Sequence, residues 1–264
     1  MKDTKILTVT GPSGCGKTSF VNHLQKFFGS EVDVLVSATT RPQRPHELDG
    51  RDYYFLSREE FEKRDFLEKV DFHDNLYGLE ISEIEKKLDG NSKLLLVIVE
   101  KKGAYEVRRA YSGRVLNLLI GISPERSRKR LVRRDGEEKA IQRMEADKIS
   151  GLDSLDYFLN DEGFFWDFYF ENVSAKQNLR KKSHLIADLA MGFLPPVYFD
   201  YEKEGDSQFL KKDEFRNFSL KFKQPIHFLP MSRFSKSGIW FADSVLPKFY
   251  ERGCNANGNQ KLKI

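Results

Sequence analysis

A glycine-rich loop near the start of the chain carries the clearest chemistry in the sequence. Residues 11–18 read GPSGCGKT, which is the G-x-x-x-x-G-K-[ST] spacing of a phosphate-binding loop. Glycines let the backbone turn so that successive N–H groups point at phosphate oxygens. Lys17 is expected to reach the β- and γ-phosphates, and the Thr18 hydroxyl to ligate a magnesium ion between them. The sequence therefore predicts a nucleoside triphosphate site with magnesium as its cofactor, formed by Gly11, Pro12, Ser13, Gly14, Cys15, Gly16, Lys17, Thr18 and Ser19.

The elements that must hold this loop in place are also visible. Residues 5–10 are an apolar run of strand length, and residues 18–28 carry apolar side chains at helical spacing before Gly29. A helix that starts at the loop adds the partial positive charge of its N-terminus. The alternative is an ordinary glycine-rich turn with a surface lysine. It is disfavoured, because a chance motif seldom has a strand before it and a helix after it.

Composition narrows the class of protein. Lys+Arg 44 against Asp+Glu 40 gives a net charge of +4 over 264 residues, too mild to indicate a nucleic-acid binder. Only two cysteines occur, which gives no disulfide framework and fits a reducing compartment. We find neither an apolar signal region at the N-terminus nor a run of about 18 apolar residues. We therefore expect a cytoplasmic protein without nucleic-acid or membrane partners, and its oligomeric state is open.

A second polar segment follows the predicted triphosphate site. Residues 37–55 are punctuated by prolines and combine arginines, a glutamate and tyrosines at close range. Positive charge and hydroxyl groups beside a triphosphate site favour a pocket for a second phosphorylated substrate. The alternative is that these arginines are solvated loop charges.

Four motifs in this order resemble the guanylate kinase family. They are the phosphate loop, residues 37–55 (SATTRPQRPHELDGRDYYF), residues 57–68 (SREEFEKRDFLE) and residues 73–78 (HDNLYG). The resemblance extends over about residues 5–190. It implies an α/β fold, with a parallel P-loop NTPase sheet between helices on both faces, a GMP-binding insertion and a helical lid. It also implies transfer of a phosphoryl group from ATP to GMP, so that the partners are these two small molecules.

The resemblance assigns roles in the acceptor site. Glu68 matches the carboxylate that reads the guanine edge, and a carboxylate can accept hydrogen bonds from N1–H and the exocyclic amine of guanine. Arginine forks suit a phosphate dianion because they bind it in bidentate geometry. The residues expected to bind GMP are Ser37, Arg41, Arg44, Glu47, Tyr53, Glu68, Tyr77 and Glu100.

Two positions depart from the family's pattern. Residues 93–100 read as a buried parallel strand that ends in Glu100, but Ile98 stands where the family usually has an aspartate. Leu79 stands where the family commonly has a small hydroxyl residue. These departures keep two alternatives open. One is a binding module without kinase activity, and the other is a kinase with a different phosphorylated acceptor.

An arginine-rich helical stretch over residues 124–144 resembles the family's lid. Its R-L-x-x-R spacing assigns Arg130, Arg134 and Arg143 to the triphosphate and the transferred group, whereas Arg126, Arg128 and Arg133 fit a solvated face. An arginine placed at the developing charge can be worth about 10³ or more in rate. The residues expected to act in catalysis are therefore Lys17, Arg41, Arg134 and Arg143.

The predicted domain organisation has one kinase-like domain and an appendage. The domain spans residues 1–192, with the nucleoside monophosphate segment at about 37–92 and the lid at about 126–148. Of two candidates for the end of the strand after the lid, Asn160 and Asn172, we favour Asn172, because residues 166–172 are the better strand and a helix over 175–191 follows. Residues 193–264 form a C-terminal extension of β or mixed character, without a catalytic constellation.

Overall fold

The structure of the chain is a computed structural model. It describes residues 4–72, 74–149, 151–152, 166–172, 176–191, 226–232 and 235–242. The strands are β1 (Lys5–Thr10), β2 (Val32–Val34), β3 (Ala38–Thr39), β4 (Tyr54–Phe55), β5 (Phe66–Phe72), β6 (Asn75–Glu80), β7 (Leu94–Ile98), β8 (Val115–Gly121), β9 (Phe168–Glu171), β10 (Ile226–Ser232) and β11 (Ser235–Ala242). The helices are α1 (Lys17–Phe28), α2 (Arg58–Glu62), α3 (Ile81–Leu88), α4 (Lys101–Ala110), α5 (Pro124–Asp135), α6 (Glu137–Ile149) and α7 (Lys176–Ala190).

The chain divides into two compact units. The first unit comprises residues 1–9 and 21–115, and the second comprises residues 10–20 and 116–264. The phosphate loop belongs to the second unit. The segment predicted to bind the acceptor belongs to the first.

The first unit contains three parallel strands. β7 pairs with β1 on one side and with β2 on the other. Residues 94–97 are fully buried, as expected for a parallel strand covered on both faces. The buried parallel strand predicted over residues 93–100 is therefore confirmed, and α4 follows it from Lys101.

The second strand is shorter than the sequence predicts. Residues 32–37 (VDVLVS) contain four apolar residues and predict a second strand, but β2 ends at Val34. Leu35 N–H still donates to Leu96 O, at 2.8 Å, whereas Val36 N–H donates to the side chain of Glu83, at 3.1 Å. The chain leaves the sheet at this point because a side chain of α3 replaces the neighbouring strand as acceptor.

A second sheet of the first unit carries the predicted acceptor segment. Its strand order is β4-β3-β6-β5, in which β3 and β4 are parallel and β5 and β6 form an antiparallel hairpin. Ala38, Phe61 and Leu76 form its buried core. Ser57 and Glu60 have the S-x-x-E spacing that predicts a capping box, and the structure confirms it at the start of α2, where each side chain accepts from the other residue's backbone N–H.

The second unit contains both parallel and antiparallel strands. β8 and β9 are parallel, and β9 also pairs with β11, which forms an antiparallel hairpin with β10. The single charged stretch predicted over 124–144 is two helices, α5 and α6, because Gly136 separates them with φ +86°. Parallel strands flanked by helices confirm the predicted α/β class.

The described residues of the C-terminal half include a strand, a helix and a β-hairpin. β9 and α7 confirm the predicted strand over 166–172 and the helix over 175–191, while Asn160 lies outside the described residues. The β character predicted for the extension is confirmed for residues 226–232 and 235–242; the remainder of 193–264 lies outside the described part. Among the described residues, we find no helix of the length and hydrophobicity that a membrane span requires.

Candidate active site

Backbone conformation shapes the phosphate loop. Gly11, Gly14 and Gly16 all have positive φ, at +151°, +73° and +106°. A Cβ atom at Gly11 would lie 2.2 Å from Ile120 O, and one at Gly16 would lie 2.9 Å from Asn172 Nδ2. Two of the three glycines are therefore required by close neighbours as well as by conformation.

Polar side chains hold the loop through its carbonyl groups. Ser127 Oγ donates to Ser13 O at 2.7 Å, and Asn172 Nδ2 donates to Cys15 O at 2.7 Å. Arg130 donates to Gly14 O, at 3.2 Å, and to Cys15 O, at 3.4 Å. The structure thus brings to the loop both Arg130, which the lid motif assigns to the triphosphate, and Asn172, which the sequence predicts only as the end of a strand. Ser127 could not be identified from the sequence, because a serine in the first turn of a helix commonly has only a local structural role.

The positive groups of the loop lie at the start of α1. The helix begins at Lys17, and Lys17 Nζ donates to Gly11 O and, at 3.2 Å, to Pro12 O. Thr18 and Ser19 are exposed to solvent. The ammonium group therefore lies across the loop, where it can donate hydrogen bonds to phosphate oxygens in place of these carbonyl oxygens.

A carboxylate that the sequence did not single out also reaches the loop. Asp147, on α6, accepts from Ser13 N–H at 2.8 Å and from Ser13 Oγ at 2.9 Å. The residue is 5% exposed. One of the loop's N–H groups therefore faces a buried negative charge.

The two other lid arginines lie against a carboxylate at the end of α5. Arg134 donates to Asp135, with its Nη2 atom at 2.7 Å from Oδ2, and Arg143 Nε lies 3.3 Å from the same oxygen. Arg134 and Arg143 are thus brought to each other by a shared acid. Their predicted contacts with a triphosphate stay predictions.

In the first unit, Arg41 is the centre of a compact polar cluster. Its two terminal nitrogens each donate to one Glu47 carboxylate oxygen, both at 2.9 Å. Its guanidinium carbon lies 5.5 Å from the ring centre of Tyr53 and 5.6 Å from that of Phe55. Burial lowers the pKa of Arg41, but the hydrogen bonds and charge of Glu47 more than offset it and leave the pKa above its usual value. The cluster is a preformed cationic site held from one side by an acid.

Three of the remaining predicted phosphate ligands, Arg44, Tyr53 and Tyr77, contact this cluster. The rings of Tyr53 and Tyr77 meet edge to face, with centres 5.9 Å apart, and burial raises the pKa of Tyr53. Arg44 donates its backbone N–H to Glu47 at 2.9 Å, and its guanidinium is half exposed. Ser37 precedes β3, and its carbonyl accepts from Tyr54 N–H. Glu47 therefore contacts arginines, and its position fits orienting Arg41 and Arg44 better than contacting an anion.

A second group of the first unit centres on Glu68. This residue of β5 lies opposite Leu79 of β6, whose side chain is fully buried. Among the described residues, Glu68 Oε2 is buried and has no hydrogen-bond partner. Burial, and then the negative charge of Glu100, raise the pKa of Glu68 to about 7, although Lys102 lowers it. A buried carboxylate oxygen without a donor is a feature that a ligand can satisfy.

A glycine makes room for this carboxylate. A Cβ atom on Gly103, in the first turn of α4, would lie 2.7 Å from Glu68 Oε1 and 3.1 Å from Val99 Cβ. Glu100 forms the N-cap of the same helix. The structure therefore brings Glu68 near Glu100, which are both predicted to bind GMP, beside a position that only glycine can occupy without a shift.

Comparison with known proteins decides the family. The family model described as guanylate kinase matches residues 3–163, more than half of the chain. The chain belongs to the guanylate kinase family. The predicted resemblance is thereby confirmed.

Individual relatives agree with the family match. A guanylate kinase of Thermotoga maritima is 36% identical over 60% of this chain and 79% of its own length. A guanylate kinase of Rubrobacter xylanophilus is 38% identical over 60% of this chain and 84% of its own. A guanylate kinase of Malacoplasma penetrans is 33% identical over 70% of this chain and 93% of its own. The similarity thus extends over most of each relative.

Proposed function

We propose that this protein transfers the γ-phosphoryl group of ATP to GMP, the reaction of its family. The observation that carries the choice of acceptor is Glu68, a half-buried carboxylate with an oxygen that lacks a donor. Guanine offers two donors along one edge, N1–H and the 2-amino group, and adenine does not. An adenine base would leave the carboxylate unpaired, so that Glu68 supplies selectivity as well as affinity.

Arg41 and Arg44 bind the phosphate of GMP, with Ser37, Tyr53 and Tyr77 as hydroxyl donors. Arg41 supports this assignment best, because Glu47 and two aromatic rings hold its guanidinium in one place. Preorganised donors lose little entropy when the anion arrives. Glu47 acts as a positioning residue for the two arginines, and Glu100 helps to set the charge around Glu68.

ATP binds at the phosphate loop through backbone N–H groups, Lys17 and the N-terminus of α1. Arg134 and Arg143 of the lid stabilise the charge of the transferred group. Arg130 takes part indirectly, since it donates to carbonyl groups of the loop. Catalysis consists of alignment and neutralisation of charge, because the GMP phosphate is largely a dianion near neutral pH and needs no general base.

Magnesium, which this family generally uses with ATP, fits the residues at the loop. Mg²⁺ prefers oxygen ligands and is usually held by few protein groups together with substrate phosphates. The exposed hydroxyl of Thr18, next to Lys17, is a suitable ligand of this kind. The ion supplies neutralisation of phosphate charge when it is bound, and Thr18 orients it.

The proposed domain organisation follows the predicted boundaries. Residues 1–192 form the kinase domain, with the monophosphate segment at about 37–92 and the lid at about 126–148. The family match to residues 3–163 supports most of this assignment, and residues 193–264 lie outside the match. A reducing cytoplasm suits the free thiol of Cys15 within the phosphate loop.

A coupled assay of ADP formation tests the proposed function. The assay contains ATP, magnesium and one of GMP, dGMP, AMP, CMP or UMP. We expect turnover with guanine nucleotides only. Turnover with another base in preference to guanine would overturn the acceptor. Binding of GMP without any turnover would instead favour a binding module.

Gly103→Ala is expected to weaken the binding of GMP without affecting the binding of ATP. The added methyl group would meet Glu68 at 2.7 Å and displace the carboxylate from the guanine edge. We expect the KM for GMP to rise about tenfold, the cost of one disturbed hydrogen bond to a charged group. Steady-state kinetics with each substrate varied in turn measures both KM values. An equal rise in the two KM values would show that the substitution disturbs the whole protein instead.

A further inference from the structure

A carboxylate is hydrogen-bonded to the phosphate loop. Asp147 accepts two hydrogen bonds from Ser13, one from its backbone N–H and one from its hydroxyl group. The backbone N–H groups of such a loop serve to bind phosphate oxygens. Asp147 therefore presents to this N–H the same kind of acceptor, an anionic oxygen, that a phosphate would.

A second carboxylate contacts two arginines of the lid. Asp135 lies 2.7 Å from Arg134 Nη2 and 3.3 Å from Arg143 Nε. Both arginines are the ones proposed to act on the transferred phosphoryl group. Asp135 and Asp147 lie at the ends of consecutive helices in the second unit, α5 and α6. Carboxylates of the protein itself therefore contact both the phosphate loop and the lid arginines, the two parts of the proposed triphosphate site.

We propose that Asp147 and Asp135 are a displaceable latch, which holds the phosphate loop and the lid arginines until the triphosphate of ATP takes their place. The proposal rests on the assignment of the ATP site given above. A ligand that must break existing contacts binds more weakly by the free energy of those contacts. The latch thus lowers the affinity for ATP. It also couples the binding of the nucleotide to the loss of the contact between α6 and the phosphate loop.

The two carboxylates contribute unequally. Asp147 is buried, so that its hydrogen bonds and its repulsion of a triphosphate are little screened by solvent. The Arg134 side chain is 52% exposed, and exposed ion pairs contribute little. Asp147 is therefore the main component of the latch and Asp135 a minor one.

Titration calorimetry of the full chain with inorganic triphosphate and with ATP, both with magnesium, tests the latch. Asp147→Asn removes the charge but keeps the shape and one acceptor oxygen. We expect it to bind both ligands about tenfold more tightly, the equivalent of about 1.4 kcal/mol. We expect Asp135→Asn to bind both ligands only about twofold more tightly, because exposed ion pairs contribute little.

A matched control is Glu145→Gln, because Glu145 lies exposed on the same helix and the substitution changes the net charge equally. Its affinity should not change. Unchanged or weaker binding in Asp147→Asn would overturn the latch, and so would an equal gain in Glu145→Gln. If the unmodified chain bound neither ligand, both the proposed ATP site and the latch would be refuted. If the unmodified chain bound both ligands and Asp147→Asn bound them no more tightly, only the latch would be refuted.

Discussion

Lys17→Ala is expected to reduce the rate of phosphoryl transfer by about 10³-fold or more, since a charge fixed at the transferring group can be worth that much. The ammonium group lies across the phosphate loop, where Gly11 O and Pro12 O accept from it. Alanine leaves no positive charge at this position. Steady-state and single-turnover kinetics with ATP, magnesium and GMP measure the loss in kcat.

The same variant should still bind GMP with nearly normal affinity. The residues proposed for GMP all lie in the first unit, whereas Lys17 belongs to the second. Lys26→Ala is the matched control, because Lys26 lies exposed in the last turn of the same helix. Turnover of Lys17→Ala at the rate of Lys26→Ala would refute the role of Lys17.

The phosphate loop was predictable from sequence for a physical reason. Its strand, its glycines and its helix are contiguous, so that spacing along the chain determines proximity in space. The positive φ angles at Gly11, Gly14 and Gly16 follow from that spacing. The capping box at Ser57 is another local feature of this kind, because its two residues lie only three positions apart.

Contacts between distant parts of the chain could not be predicted in this way. Asp147 meets Ser13 across 134 positions, and an aspartate near the end of a charged helix looks like a solvated residue in the sequence. The early end of β2 likewise depends on Glu83, which lies 47 positions beyond Val36. Such contacts depend on how helices pack, and no local spacing encodes that packing.

Family resemblance supplied the residues but not their arrangement. Arg41 and Glu47 were both predicted to contact GMP, and the structure pairs them with each other through two hydrogen bonds. Arg134 and Arg143 were predicted from the lid motif, and the structure places both beside Asp135. A motif identifies the type of side chain, whereas the charges that surround that side chain are visible only in three dimensions.

Glu68→Gln is expected to lower kcat/KM for GMP by about 10²- to 10³-fold, because an unpaired donor in a buried site carries a large penalty. The glutamine amide keeps one acceptor oxygen but points a donor at a donor of guanine. An amide also complements the N1 and N6 groups of adenine, so that the preference for GMP over AMP should narrow. Glu59→Gln, on an exposed glutamate of α2, is the matched control and should behave normally.

The unmodified chain should also lose affinity for GMP as the pH falls through about 7. Burial and the charge of Glu100 raise the pKa of Glu68 to about 7, against the opposing charge of Lys102, and Glu106 adds to the rise. Below that pH the carboxyl group is protonated, and its O–H group meets the donors of guanine. We expect kcat/KM for GMP to fall about tenfold per pH unit there.

The GMP phosphate itself titrates near pH 6, which adds a second decrease at lower pH. Glu68→Gln separates the two effects, because glutamine does not titrate while the phosphate still does. We expect this variant to lose the inflection near pH 7 and to keep the lower one, in a plot of log(kcat/KM) for GMP against pH. An inflection near pH 7 that persists in Glu68→Gln would assign the titration to another group and remove the support that the raised pKa lends to Glu68 as the guanine-reading carboxylate.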